Sequence, residues 1–336
     1  MGAQSRSKLS KFMIKVEGLS KRYARNIAVD DISFEVNKGQ IVGFLGPNGA
    51  GKTTTMRILT CFMPPTAGKA TVAGFDVMEQ PFEVKKRIGY LPEVPPLYPE
   101  MEVCEYLYFV GRLKGIPKSD LAKRVKEVSE KVNVADVSKK LIGKLSKGYR
   151  QRVGLAQAII HNPDVLILDE PTAGLDPKQI LETRQLIRSL AGDHTIILST
   201  HILPEVEQTC EQVVIITKGK LVAVDSVQNL TNRLKGSQAV ALEVESRDGA
   251  LDVHAVQQHL ERVPGVGKVV LKDFVGNRSH FEVDSLPGHS VRPDLARAVV
   301  EGGWNLNELH AAGVSLEEIF LQLTASDKNV AKGEVQ

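Results

Sequence analysis

Gly46-Pro47-Asn48-Gly49-Ala50-Gly51-Lys52-Thr53-Thr54 follows the apolar run Ile41 to Leu45 and opens a segment of helical character, Thr54 to Phe62. The nine residues fit G-x-x-x-x-G-K-[ST], the phosphate-binding loop. The spacing has a physical reason. Glycines let consecutive backbone N–H groups turn inward into an anion-binding nest, and the helix that follows points the positive end of its dipole at the same spot. Lys52 would then reach the β- and γ-phosphates of a nucleotide, and the Thr53 hydroxyl would hold Mg²⁺.

Outward from this loop the texture is that of an α/β core. Met13 to Glu17 and Ile32 to Val36 alternate apolar and polar residues as half-buried strands do, with Tyr23 in a basic stretch between them. Ala70 to Ala73 reads as a further short strand. After Ile88-Gly89-Tyr90-Leu91-Pro92-Glu93 the prolines Pro95, Pro96 and Pro99 stiffen a loop and exclude regular structure. A helical insert follows, from about residue 95 to 160. In it Leu121, Val125, Val128 and Val132 form one stripe, with Ser119 as the expected N-cap and a second helix from about Lys147. Val165 to Leu168, Thr195 to Ser199 and Val213 to Thr217 are continuous apolar runs, as in parallel strands buried on both faces, and helices near Lys178 to Leu190 and Pro204 to Cys210 separate them.

Beyond Gly236 a second pattern begins. Val240, Leu242 and Val244 alternate as a strand, Val253, Val256 and Leu260 are spaced as a helix, and Val266 to Leu271 and His280 to Val283 flank a Gly276-Asn277 turn. Val291, Leu295 and Val299 make another helix, and Trp304 to Leu309 a last strand. The order β-α-β-β-α-β is that of a ferredoxin-like module. A terminal helix is expected from Ser315, with Glu318 completing a capping box.

The bulk numbers set limits. The chain has 336 residues, 42% hydrophobic and 25% charged, which is ordinary globular composition with room for two domains. A net charge of +3 is too balanced to suggest a nucleic-acid partner. Arg6, Lys8, Lys11 and Lys15 meet no acid near the start, so residues 1–12 read as a disordered basic extension, with Met13 as an alternative start. Three widely spaced cysteines, Cys61, Cys104 and Cys210, lack metal-ligand spacing and read as reduced thiols of a cytoplasmic protein. No window is apolar enough to span a membrane, so any crossing falls to another chain.

Val165 to Leu168 ends in Asp169-Glu170, where such folds present an acid to Mg²⁺ beside the phosphate loop. Asp169 would bind the ion, and Glu170 could polarise an attacking water. Further along lie Leu145-Ser146-Lys147-Gly148-Tyr149-Arg150-Gln151-Arg152, then Ala173-Gly174-Leu175-Asp176, then Ser199-Thr200-His201. In this order and at these separations the set resembles the nucleotide-binding subunit of an ABC transporter, from about Ile14 to Asp225.

The resemblance implies an ATPase with ATP as substrate and Mg²⁺ as cofactor. Tyr23 would stack on adenine, although a tyrosine ahead of a strand is by itself more often a packing residue. Glu170 would be the general base, and His201 would contact the γ-phosphate. Ser146, Lys147 and Gly148 form the signature that closes over ATP held by a second ATPase subunit, so a homodimer is implied, with Asp176 in the loop between. The metal set would be Thr53, Asp169 and Glu93. Two departures stand out. Lys147 and Tyr149 replace a glycine and a glutamine of the usual Leu-Ser-Gly-Gly-Gln, and Glu93 stands where the family places glutamine.

The Glu93 loop, the signature and the Ser315-Leu316-Glu317-Glu318-Ile319-Phe320 ending look similar to the ABC-2-type exporters, in particular the gliding-motility and nitrous-oxide-reductase-maturation ATPases. That branch implies a separate membrane permease and a peripheral position on the cytoplasmic face of the cell membrane. The expected architecture is therefore an α/β P-loop NTPase of ABC type with a helical subdomain over 13–232. A ferredoxin-like α+β domain follows over 237–325, then a disordered tail at 326–336. Two other readings stay open. One is a soluble ABC ATPase acting on ribosomes or DNA, which usually carries two cassettes or a long coiled coil. The other is a regulatory module whose second domain senses a ligand or merely stabilises a dimer.

Overall fold

The computed structural model describes residues 12–234, 239–247, 249–286 and 289–312. The chain divides into two compact units, Met1–Val227 and Gln228–Gln336. The first opens with two twelve-residue antiparallel strands, β1 (Phe12–Tyr23) and β2 (Asn26–Asn37). Both are longer than the alternation predicts. Register shifts between Val16 and Leu19, with Gly18 at φ +59 and Asp31 at φ +52, change which residues face inward. A bulge therefore hides the continuation of each strand from a period-two reading. Phe12 already belongs to β1, so the predicted extension falls one residue short of its expected end; the rest of it lies outside the described residues.

Next come β3 (Ile41–Leu45), α1 (Lys52–Leu59), β4 (Ala67–Val72) and β5 (Phe75–Asp76). The last two join the first pair in a four-stranded antiparallel sheet of order β2-β1-β4-β5. The short elements α2 (Pro81–Arg87) and β6 (Ile88–Leu91) follow. They precede the helical segment, α3 (Val103–Leu113), α4 (Lys118–Lys131) and α5 (Lys147–Ile159). The α4 stripe of Leu121, Val125 and Val128 is buried, as its spacing predicts. Its cap differs from expectation: the helix starts at Lys118, the N-cap is Pro117, and the Ser119 hydroxyl donates to Asp120 Oδ1 at 3.1 Å. Proline's fixed φ with an extended ψ of 143° sets the entry one residue before serine could act.

The chain then returns to β7 (Val165–Asp169), α6 (Pro177–Ser189), β8 (Thr195–Thr200), α7 (Leu203–Thr209), β9 (Gln212–Thr217) and β10 (Lys220–Ser226). The second sheet has the order β10-β9-β3-β8-β7-β6, parallel apart from its β10 edge. Every residue of β3, β7 and β8 is buried, which explains their unbroken apolar sequences. Between the sheets Ile14, Val16, Phe34, Val36, Val42, Phe44, Met56 and Ile216 form one core, with the Phe34 and Phe44 rings 5.5 Å apart.

The unit boundary falls within α8 (Val227–Leu234). The second unit contains β11 (Ala239–Glu245), α9 (Val253–Glu261), β12 (Val266–Val275), β13 (Arg278–Ser285), α10 (Arg292–Glu301) and β14 (Asn305–Ala312). Its antiparallel sheet has the order β12-β13-β11-β14, so the first strand lies between the third and the last, as in a ferredoxin-like fold. Gly276, at φ +67, and Asn277 form the two-residue turn between β12 and β13. Leu242, Val244, Val256, Leu260, Phe281 and Leu295 form a separate core. The predicted helix at Ser315 and the tail lie outside the described residues. Among the described residues no helix is long and apolar enough to cross a membrane.

Candidate functional site

Strand register assembles the site. Leu45 on β3 pairs with Thr200 on β8, and Asp169 on β7 pairs with Ser199, so three strands end together. The next residues, Gly46, His201 and Glu170, leave the sheet at its carboxyl edge, where open α/β sheets bind ligands.

The loop after β3 has the backbone its glycines require. Gly49 and Gly51 take φ of +79° and +105°. A methyl group on Gly51 would stand 2.4 Å from Ala28 O, and one on Gly46 would stand 2.3 Å from Ile216 O. Gly51 then caps α1, and the buried Thr55 hydroxyl donates to Gly51 O at 3.0 Å. The Lys52 ammonium is almost wholly buried, donating to Gly46 O at 2.7 Å and Pro47 O at 3.3 Å.

Lys52 Nζ also lies 3.3 Å from Glu170 Oε1, while Glu170 Oε2 meets His201 Nδ1 at 2.9 Å. Glu170 has a positive φ of 50°, rare for a side-chain-bearing residue. Such backbone costs about 1–3 kcal/mol. The Glu170 N–H to Ser199 O hydrogen bond of 2.9 Å and the two side-chain contacts hold it there. A lysine from the start of α1 and a carboxylate and an imidazole from the ends of β7 and β8 thus form one row.

These residues line a cleft of about 960 Å³ that also includes Asn48, Ala50, Thr53, Thr54, Glu93 and, at its rim, Tyr23. Tyr23 is 42% exposed; its hydroxyl donates to Met63 Sδ at 2.9 Å, and the Lys21 ammonium lies 5.4 Å from its ring centroid. Arg25, Asn26, Ile27 and Lys218 line the same cleft and escape sequence reading. Arg25 and Lys218 belong to two hairpin turns, at residues 24–25 and 218–219, and Asn26 and Ile27 open β2; none of them carries a motif. The second turn is tied to the loop by Gly219 N–H donating to Ala50 O at 3.0 Å.

Whether the site suits a magnesium ion can be read from Asp169. Its side chain is 1% exposed, and among the described residues Oδ1 has no hydrogen-bond partner. A buried carboxylate oxygen without a donor is costly unless a cation satisfies it. Asp169 with the Thr53 hydroxyl offers the hard oxygen donors Mg²⁺ takes. Burial, with the Asp169 charge adding to it, pushes the neighbouring Tyr90 phenol up to about 12. That group remains a neutral hydroxyl beside the carboxylate at any ordinary pH.

Seven expected site residues are absent from the lining of this cleft: Gly46, Pro47 and Asp169, at the ends of β3 and β7, and Ser146, Lys147, Gly148 and Asp176, which lie elsewhere. Ser146 caps α5, its hydroxyl accepting from Tyr149 N–H at 3.3 Å. Asp176 caps α6 in the same way, accepting from Gln179 N–H at 2.9 Å. Gly148 lines a different depression of about 650 Å³, where Tyr149 donates to Asp136 Oδ2 at 2.7 Å. Lys147 reaches over Gly174, where an added methyl would meet its ammonium at 2.3 Å. Within one chain, therefore, the phosphate loop and the signature are separate.

Comparison with known proteins bears on this arrangement. The ABC transporter family model matches residues 29–173, from β2 to just past Glu170. The uncharacterized ABC transporter ATP-binding protein YxlF of Bacillus subtilis is 34% identical over 312 residues, covering 93% of this chain and 99% of that protein. The bacitracin transport ATP-binding protein BcrA of Bacillus licheniformis is 37% identical over 314 residues, covering 93% and 97%. A solved structure of an ATP binding subunit of an ABC transporter aligns with a TM-score of 0.61 at 28% identity, over 66% of this chain and 93% of that one. Both curated relatives extend through the second unit, whereas the solved structure covers about the length of the first. Fold, loop and near full-length relatives agree: the chain belongs to the ABC transporter family, as one of its ATP-binding and ATP-hydrolysing subunits.

Proposed function

We propose that the chain powers export through a separate ABC-2-type membrane permease, working as a head-to-tail homodimer on the cytoplasmic face of the cell membrane. The observation that carries this reading is the Lys52–Glu170–His201 row at the cleft floor, with the signature residues Ser146, Lys147 and Gly148 placed elsewhere. A cleft that holds nucleotide on one side needs a second signature edge to close it. Tyr23 at the rim offers a face to adenine. Gly46 to Thr54 cradle the phosphates, and Lys52 neutralises their terminal charge. Thr53, Asp169 and Glu93 would hold Mg²⁺, which spreads the charge developing on the transferred phosphoryl group. Glu170 takes the proton of the attacking water as its oxygen bonds to the γ-phosphorus, and ADP leaves on its β-phosphate oxygen. His201 holds Glu170 through Nδ1 and presents its other ring nitrogen toward the γ-phosphate. Asp176 follows on the loop that carries Glu170.

The membrane partner would dock beside the Glu93 loop. A groove of about 500 Å³ there is lined by Phe62, Tyr90, Val94, Pro96 and Lys114, and Phe62 and Val94 are more than two-thirds exposed. The name of the Bacillus licheniformis relative, a bacitracin transport ATP-binding protein, agrees with a role in transport. Co-expression with a neighbouring multi-span membrane chain tests this. The pair is expected to co-purify from membranes and hydrolyse ATP, whereas association with ribosomes and not with membranes would refute it.

Glu93 adds a charge where a glutamine is usual. A carboxylate binds a hard cation more strongly than an amide does. Glu93→Gln should therefore raise the Mg²⁺ concentration giving half-maximal ATPase activity while leaving the maximal rate within about two-fold. An unchanged magnesium titration would remove Glu93 from the metal set.

A further inference from the structure

Glu205 is 1% exposed, on the short helix α7 just beyond His201. A buried carboxylate survives only with donors around it, and those of Glu205 come from three other segments. Thr172 Oγ1 donates to Glu205 Oε1 at 2.5 Å, and Thr200 Oγ1 donates to Glu205 Oε2 at 2.8 Å. Arg184, on α6, places its guanidinium 3.5 Å from Oε1 and is anchored in turn on Gln208. Thr172 lies two residues after Glu170, and Thr200 immediately precedes His201; both are nearly wholly buried. The Thr200 oxygen also accepts from Ile202 N–H at 3.1 Å, so the backbone on both sides of His201 is tied to the same carboxylate.

The two loops are thus joined at two levels. At the cleft surface Glu170 meets His201 directly, and beneath it each loop hangs by one threonine from one oxygen of Glu205. We propose that Glu205 is a positioning residue for ATP hydrolysis. It sets the separation of Glu170 and His201, and so the reach of Glu170 to the attacking water, without touching nucleotide itself. This rests on the roles given above to Glu170 and His201. It differs from a packing role because the clamp acts through two hydroxyls that fill no extra volume. It differs from a binding role because none of Thr172, Thr200 and Glu205 lines the nucleotide cleft.

The test is steady-state ATPase kinetics and ATP affinity by calorimetry on the full-length chain carrying Glu205→Gln, Thr200→Val, Thr200→Ser or Glu170→Gln. A displacement of the base by a fraction of an ångström should lower kcat by about 10- to 100-fold in Glu205→Gln and Thr200→Val. KM and ATP affinity should stay within about three-fold of the parent. Thr200→Ser keeps the hydroxyl and should restore the rate, and combining Glu205→Gln with Thr200→Val should cost no more than the worse single change. Glu205→Gln leaves Arg184 without its counter-charge, so Thr200→Val, which leaves that pair intact, covers the case in which the first variant fails to fold. Parental kcat in Thr200→Val beside an inactive Glu170→Gln overturns the clamp alone. Parental turnover in Glu170→Gln overturns the base assignment, and the clamp's purpose with it. A parallel fall in affinity, melting temperature and kcat in both clamp variants would make Glu205 merely structural.

Discussion

Glu170→Gln is expected to bind ATP as tightly as the parent chain, to accumulate as a closed dimer, and to turn over about 10²- to 10⁴-fold more slowly, the usual contribution of a positioned general base. The amide matches the carboxylate in size and still accepts a hydrogen bond, but it cannot take a proton from water. It also loses the charge facing Lys52 at 3.3 Å. Because the ammonium retains Gly46 O and Pro47 O, the cleft should keep its shape. The predicted signature is a separation of steps: size-exclusion with ATP and Mg²⁺ should show a dimer that persists for hours, where the parent returns to monomer as ATP is consumed. Undiminished turnover would end the assignment.

Lys52→Met should fail one step earlier. The methionine fills nearly the same volume, so the loop and α1 should persist, yet the buried charge on the phosphate side is gone. Losing one charge-assisted hydrogen bond in such a place costs about 3 kcal/mol, roughly 100-fold in affinity. Glu170 would then lose the cation it faces and repel the triphosphate further. Calorimetric titration with ATP is the direct measurement. An affinity within two-fold of the parent would mean that the backbone nest alone holds the phosphates. Together the two variants separate binding from chemistry on neighbouring atoms of one ion pair.

The phosphate loop and the strands that flank it are legible in the sequence, and the reasons are local. The phosphate loop occupies nine consecutive residues whose conformation needs glycine at Gly49 and Gly51, and the strands that end in Leu45 and Asp169 are apolar at every position because both faces are covered. The second unit is legible for a similar reason, its six elements being short, regular and separated by clear turns. What went unread is what depends on distant pairing. β6 has four residues before a proline and is a strand because β7 pairs with it; β1 and β2 hide their length behind bulges. Glu205 reads as one more surface acid beside Glu207 and Glu211, since charged residues ordinarily face water. Only the three donors brought to it by Thr172, Arg184 and Thr200 show otherwise.

By itself the sequence determined that a polyphosphate would be cradled between β3 and α1, and that two folding units follow one another along the chain. Those properties belong to neighbouring residues and to the periods of their side chains. The tertiary structure decided which carboxylate faces Lys52, which imidazole holds that carboxylate, and which buried acid ties both loops from below. Such contacts are set by the strand order β3-β8-β7 and its register, and hydrogen bonds between side chains from separate strands leave no period along the chain to read.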